Sequence, residues 1–116
     1  MNEIWGRIVK SIISQVNLAN EKKPGRCKIT QIQPFVSLVG KHGQTGVFEF
    51  DARQRLITIT FPPLVAQGNG RSGEFAITRE QMIEKKKFVG TPEPPALPMS
   101  PEKFSEIMLA PFFDEM

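Results

Sequence analysis

The sequence predicts an α+β domain, and three observations carry that expectation. Large apolar residues recur at helical spacing near the start: Ile4, Trp5, Ile8, Val9, Ile12, Ile13 and Val16. Between Arg26 and Thr78 the period changes to two. The connections between the alternating runs are too short for helical crossovers, so the strands should form an antiparallel meander. The expected body is an N-terminal amphipathic helix packed on four to five strands, a sheet that could also curl into an OB-like small barrel. A short helix and a Pro-rich C-terminal tail should follow.

The first helix runs to Lys22-Lys23-Pro24-Gly25, where proline and glycine break the pattern and the lysines suit a helix C-terminus. Its opposite side carries Arg7, Lys10, Ser11, Ser14 and Gln15. In the first strand, Cys27 and Ile29 alternate with Lys28 and Thr30, but Ile32 falls one place out of phase, as a β-bulge would allow. Pro34 breaks or bends the run before FVSLV (35–39). GVFEF (46–50) and RLITITF (55–61) follow, joined by the turn-like Asp51-Ala52-Arg53-Gln54. Pro62-Pro63 stops that strand, and a loop leads to EFAIT (74–78). Thr78 and Gln81 are spaced as a capping box, so REQMIEKKK (79–87) reads as a short basic helix. Six of the ten prolines lie between 92 and 111, the composition of a semi-rigid spacer. Ser100-Pro101-Glu102 then starts a helical turn or two, ended by Pro111.

Motifs that look chemical do not survive their context. GNGRSG (68–73) has the letters of a dinucleotide fingerprint but precedes a strand, where no helix N-terminus meets a pyrophosphate. Arg71 is expected at the exposed tip of that connection. GKHGQTG (40–46) lacks phosphate-loop spacing and reads as a hairpin loop. Glu49 and Asp51 share a strand face, but residues alternating with Phe48 and Phe50 should face solvent. One histidine and one cysteine supply neither a metal-ligand cluster nor a disulfide. Non-enzymatic function is therefore expected, with no cofactor and no metal. A lone thiol, with no signal peptide or membrane span, fits a cytoplasmic protein.

Charge is distributed unevenly. Residues 1–90 hold 14 Lys and Arg against 7 Asp and Glu, whereas residues 91–116 hold one lysine against five carboxylates. That asymmetry divides the chain into a basic body, 1–90, and an acidic tail, 91–116. Turns of a meander alternate between its two ends, so Lys22, Lys23, Arg26, Lys41, His42 and Arg71 should collect at one end. Cations on glycine-rich loops suit phosphate contacts, which makes single-stranded nucleic acid the first candidate partner. Phe104, Ile107, Met108, Phe112 and Phe113 of the tail must bury somewhere: on the body, on another protomer or on another protein. Three functions follow in order. The first is a single-strand-binding module whose tail recruits partners or masks the basic surface. The second is an assembly subunit of a phage-like particle, a homo-oligomer whose C-terminal arm docks on a neighbour. The third is a small inhibitor or regulator.

Overall fold

The computed structural model describes residues 3–63 and 70–114. It is α+β: α1 (Glu3–Lys22), six strands, and α2 (Pro101–Asp114). The strands are β1 (Cys27–Ile32), β2 (Phe35–Gly40), β3 (Thr45–Asp51), β4 (Leu56–Phe61), β5 (Arg71–Ile77) and β6 (Ile83–Val89). They form one antiparallel sheet in the order β1-β2-β3-β4-β5-β6, which leaves β1 and β6 as its edges. The sheet is open, not a barrel. The two helices provide the apolar cover that barrel closure would otherwise supply.

Alternation sorts the strands into two faces. Val36, Leu38, Phe48, Phe50, Ile57, Ile59, Phe75 and Ile77 point to the helices and are buried. Ser37, Glu49, Thr58, Thr60 and Glu74 lie on the other, open face, as the register requires. Trp5 of α1 stacks on Phe50, ring centroids 5.5 Å apart. Phe104 of α2 meets Phe75 at 4.8 Å and Phe48 at 6.1 Å, both edge-on. Gly46 leaves the space that the Phe61 ring fills; a β-carbon there would collide with it.

Several expectations need correction. There are six strands and not four or five, because REQMIEKKK is not a helix. Residues 78–82 form a turn, in which Thr78 accepts from the amides of Gln81 and Met82 and donates its own to Met82. Gln81 has a φ of 61°, outside the helical range. Ile83–Val89 then pairs with β5 as an edge strand, its register shifting at Glu74/Phe75. Lysine-rich, bulged sequence is what an edge strand tolerates, and the free ladder of β5 overrides the helical propensity. Ile32 needs no bulge: β1 keeps regular register with β2, and Ile32 simply faces solvent.

Of the places left open for the tail's apolar residues, the body is the one they meet, and the helix is longer than a turn or two. Met99 exchanges two backbone hydrogen bonds with Ile83, and Lys85 pairs with Glu93 at 2.7 Å, so the proline segment is fastened to β6. Ser100 accepts the Lys103 amide through its hydroxyl, as an N-cap should. The helix it starts runs fourteen residues and passes through Pro111. Phe104, Met108, Leu109 and Phe112 are buried, with Ile107 and Phe113 packed against the same core as the sheet. The change of composition at Gly90 is thus not a boundary between cores.

A polar seam fixes α2 beside α1. Ser11 and Ser105 hydroxyls lie 2.6 Å apart, and Gln15 donates to Ser105 at 2.9 Å. Arg7 grips Glu102 with two hydrogen bonds, at 3.0 and 2.6 Å. That hydrogen bond is the main reason the Glu102 carboxyl lies below the usual glutamate range. Arg7, Ser11 and Gln15, one helical turn apart, are therefore an interhelical face and not simply a solvated one.

Candidate nucleic-acid interface

The hairpin parity brings most of the predicted cations together. Because Pro34 sits in the turn between β1 and β2, the end of α1 and the β2–β3 turn fall at the same end of the sheet. Arg53 and Arg55 lie at the other. At the first end, Lys23, Pro24, Arg26, Lys41 and His42 line a cleft of about 130 Å³. Lys22 occupies the last turn of α1 beside it.

Backbone hydrogen bonds hold the two loops that form this cleft. The Arg26 amide bonds the Lys23 carbonyl at 3.1 Å, and the Lys41 amide bonds the Arg26 carbonyl at 3.0 Å. Gly40 donates to Gln44 at 2.7 Å, while the buried Gln44 side chain accepts the His42 amide. Gly25 and Gly43 take φ values of 75° and 90°, which glycine alone adopts without strain. Lys22, Lys23, Lys41 and His42 remain exposed on this braced frame.

Arg71 is a correction. It is not at a loop tip but is the first residue of β5, paired with Phe61 and only 8% exposed. Its guanidinium lies 4.3 Å from the Phe61 ring centroid and donates to the Met108 carbonyl at 2.9 Å. Arg26 plays a related part with one nitrogen, which donates to the Phe113 carbonyl at 2.7 Å. The last turn of α2 has no basic residue of its own, and Pro111 removes one amide from the helix ladder. Arg26 supplies a donor and positive charge to that turn, and Arg71 does the same for the turn before it. Part of the charge asymmetry in the sequence is thus intramolecular.

Alternation along β5 could have shown that Arg71 is buried. It stands two and four residues before Gly73 and Phe75, on the same face of one strand. No local signal announces the contacts of Arg26 and Arg71 with α2, since they depend on where that helix lands.

The end of α2 lies against this cleft through Phe113, and acidic residues follow it in sequence. The tail residues expected to meet a partner are at work inside the molecule: Phe104 is fully buried and Phe112 rests on Phe61 at 5.8 Å. Glu115 lies outside the described residues.

Among the described residues, aromatic rings at the basic end are buried or, like Phe113, partly buried. Phe48, Phe50, Phe61 and Phe75 are buried, and Phe35, 40% exposed, stands at the far end of β2. Asp51 accepts the amides of Arg53 and Gln54, a local turn role, and Glu49 is exposed on the open face. Burial pushes the Cys27 thiol up, against a smaller opposing effect of the Val39 backbone. Among the described residues, no group of three or more His, Cys, Asp or Glu is placed to hold a metal. Among them, too, no helix is long and apolar enough to cross a membrane. In comparisons with known proteins, the chain matches no family, no curated protein and no solved structure.

Proposed function

We propose that this chain is a non-enzymatic binding module that takes the phosphates of a single-stranded nucleic acid at its basic end. One observation carries the reading: Lys23, Arg26, Lys41 and His42 converge on a single cleft between two hydrogen-bonded loops, with Lys22 adjacent. A fixed group of cations around a narrow opening suits an anionic backbone better than a neutral ligand. With Phe113, at the cleft, partly buried against the core, contacts to phosphate dominate and sequence preference is slight. Acidic residues follow Phe113 in sequence and carry the sign of charge that competes for the same cations, a self-masking role for the chain's end. A reducing, cytoplasmic setting fits the single buried thiol.

The test is fluorescence anisotropy of a labelled single-stranded 20-mer at low salt. Wild type is expected to bind, and Lys23→Glu/Lys41→Glu to lose binding while keeping its circular dichroism and melting temperature. Equal binding by both proteins, or none by wild type, removes the proposal. Deleting residues 91–116 is not a clean test of masking, because it removes part of the core.

A further inference from the structure

The two edges of the sheet are treated differently. β6 carries Lys85, Lys86 and Lys87, shifts register once, and is overlaid by Met99 and Glu93. Each is a device that stops a strand from pairing with another chain. β1, CKITQI, has one charge, no proline and regular register. Nor is it short of apolar neighbours. Of the six large hydrophobic residues exposed among those described, Ile32 (67%), Phe35 (40%) and Val39 (47%) cluster on β1 and β2, whereas Val89 stands singly at the end of β6 and Leu18 and Leu97 lie off the sheet.

Hydrogen bonding fixes which groups of β1 point outward. The Lys41 amide bonds the Arg26 carbonyl, so alternate residues Lys28, Thr30 and Ile32 bond β2, and Cys27, Ile29 and Gln31 face away from it. Asn20 already takes both Cys27 groups: its Oδ1 accepts the amide and its Nδ2 donates to the carbonyl, each at 2.9 Å. Ile29 and Gln31 remain.

We infer that β1 pairs with β1 of a second copy of this chain, antiparallel across a twofold axis at Thr30. Only that register sets Ile29 opposite Gln31 of the second copy and Gln31 opposite its Ile29, so that both outward residues on each strand are used. Shifting by two residues either way leaves a single such pair. Asn20 ends the ladder at Cys27. The result is a continuous twelve-stranded sheet, twice the six strands of one chain.

Side chains agree with this register on both faces. On the open face Ile32 already lies opposite Phe35, and Lys28 opposite Val39. Pairing puts Ile32 opposite Lys28 of the second copy, so Phe35, Ile32, the Lys28 stem and Val39 form one row across the junction. On the helix-bearing face, Ile29 of the second copy comes beside Gln31. There a cavity of about 240 Å³ between α1 and β1 is lined by Gly6, Val9, Lys10, Ile13, Gln31 and Gln33. Charge is compatible as well: the two Lys28 residues are four positions apart along the junction, roughly 13 Å. The basic ends of the two copies point in opposite directions.

Light scattering coupled to size exclusion, from about 1 to 100 μM and without nucleic acid, tests the inference apart from the phosphate proposal. Wild type should reach twice the 13.0 kDa of one chain at the upper concentrations. Gln31→Pro removes an outward amide that the monomer does not use and should give a folded monomer by circular dichroism. Ile32→Lys sets lysine against Lys28 of the second copy, whereas Ile32→Glu sets a carboxylate there. With two such pairs per dimer, Ile32→Glu should dimerise roughly tenfold more tightly than Ile32→Lys. If Gln31→Pro fails to fold, the Ile32 comparison decides. A wild-type monomer throughout, or a dimer equally strong in both Ile32 variants, overturns the pairing.

Discussion

Replacing Phe104 with alanine should destabilise the protein by about 3–5 kcal/mol, the usual cost of emptying an aromatic site that cannot collapse. The ring is fully buried and touches both sides of the sheet centre, Phe75 at 4.8 Å and Phe48 at 6.1 Å. Those neighbours are themselves fully buried and held by strand pairing, so relaxation into the void is limited. A domain of this size has about 5–15 kcal/mol in total, so Phe104→Ala removes a large share. Urea unfolding followed by Trp5 fluorescence is the assay. At a slope of about 1.5 kcal/mol per M, the midpoint should fall by about 2–3 M. Leu97→Ala is the control: that side chain is 77% exposed and its loss should shift stability by less than about 0.5 kcal/mol. If Phe104→Ala behaves like Leu97→Ala, α2 is not part of the core and the docking described above is wrong.

Two further outcomes follow from the contacts of α2 and of the proline segment before it. Arg71→Met keeps the side-chain bulk but leaves the Met108 carbonyl without that donor, and should cost about 1–3 kcal/mol in thermal or urea melts. Acid should weaken the fold in a defined direction. Arg7 lowers the folded-state pKa of Glu102, chiefly through its hydrogen bond, and Lys85 does the same for Glu93. A depressed carboxylate stabilises the fold above its unfolded value, about 4.3, and loses that contribution as pH falls through the folded value. The difference between wild type and Glu102→Gln/Glu93→Gln should therefore be fully expressed at pH 7 and close in melts below about pH 4.3.

The periodicities that were strongest in sequence are those with a purely local cause. Alternation in RLITITF and the helical stripe from Ile4 to Val16 needed no knowledge of the partner surface, and both elements stand where expected. Hairpin parity followed from the same alternation and correctly gathered Lys23, Arg26, Lys41 and His42. Residues 79–87 misled because Glu and Lys favour helix in isolation, while the strand is imposed by the open ladder of β5. The tail was legible as apolar and acidic, but its target was not. Its place depends on Arg7, Ser11 and Gln15 meeting Glu102 and Ser105 across about ninety residues of chain.

The claim that the basic end takes phosphates is tested most directly by the salt dependence of oligonucleotide affinity. Lys22, Lys23, Arg26 and Lys41 give four cations, and single strands release counterions at about 0.7 per phosphate neutralised, for a slope near −2.8. Between 50 and 200 mM salt, wild-type affinity should fall roughly 50-fold, and Lys23→Ala/Lys41→Ala, with two cations left, only about 7-fold. A wild-type slope near zero, or one unchanged by the double substitution, would contradict binding at this cleft.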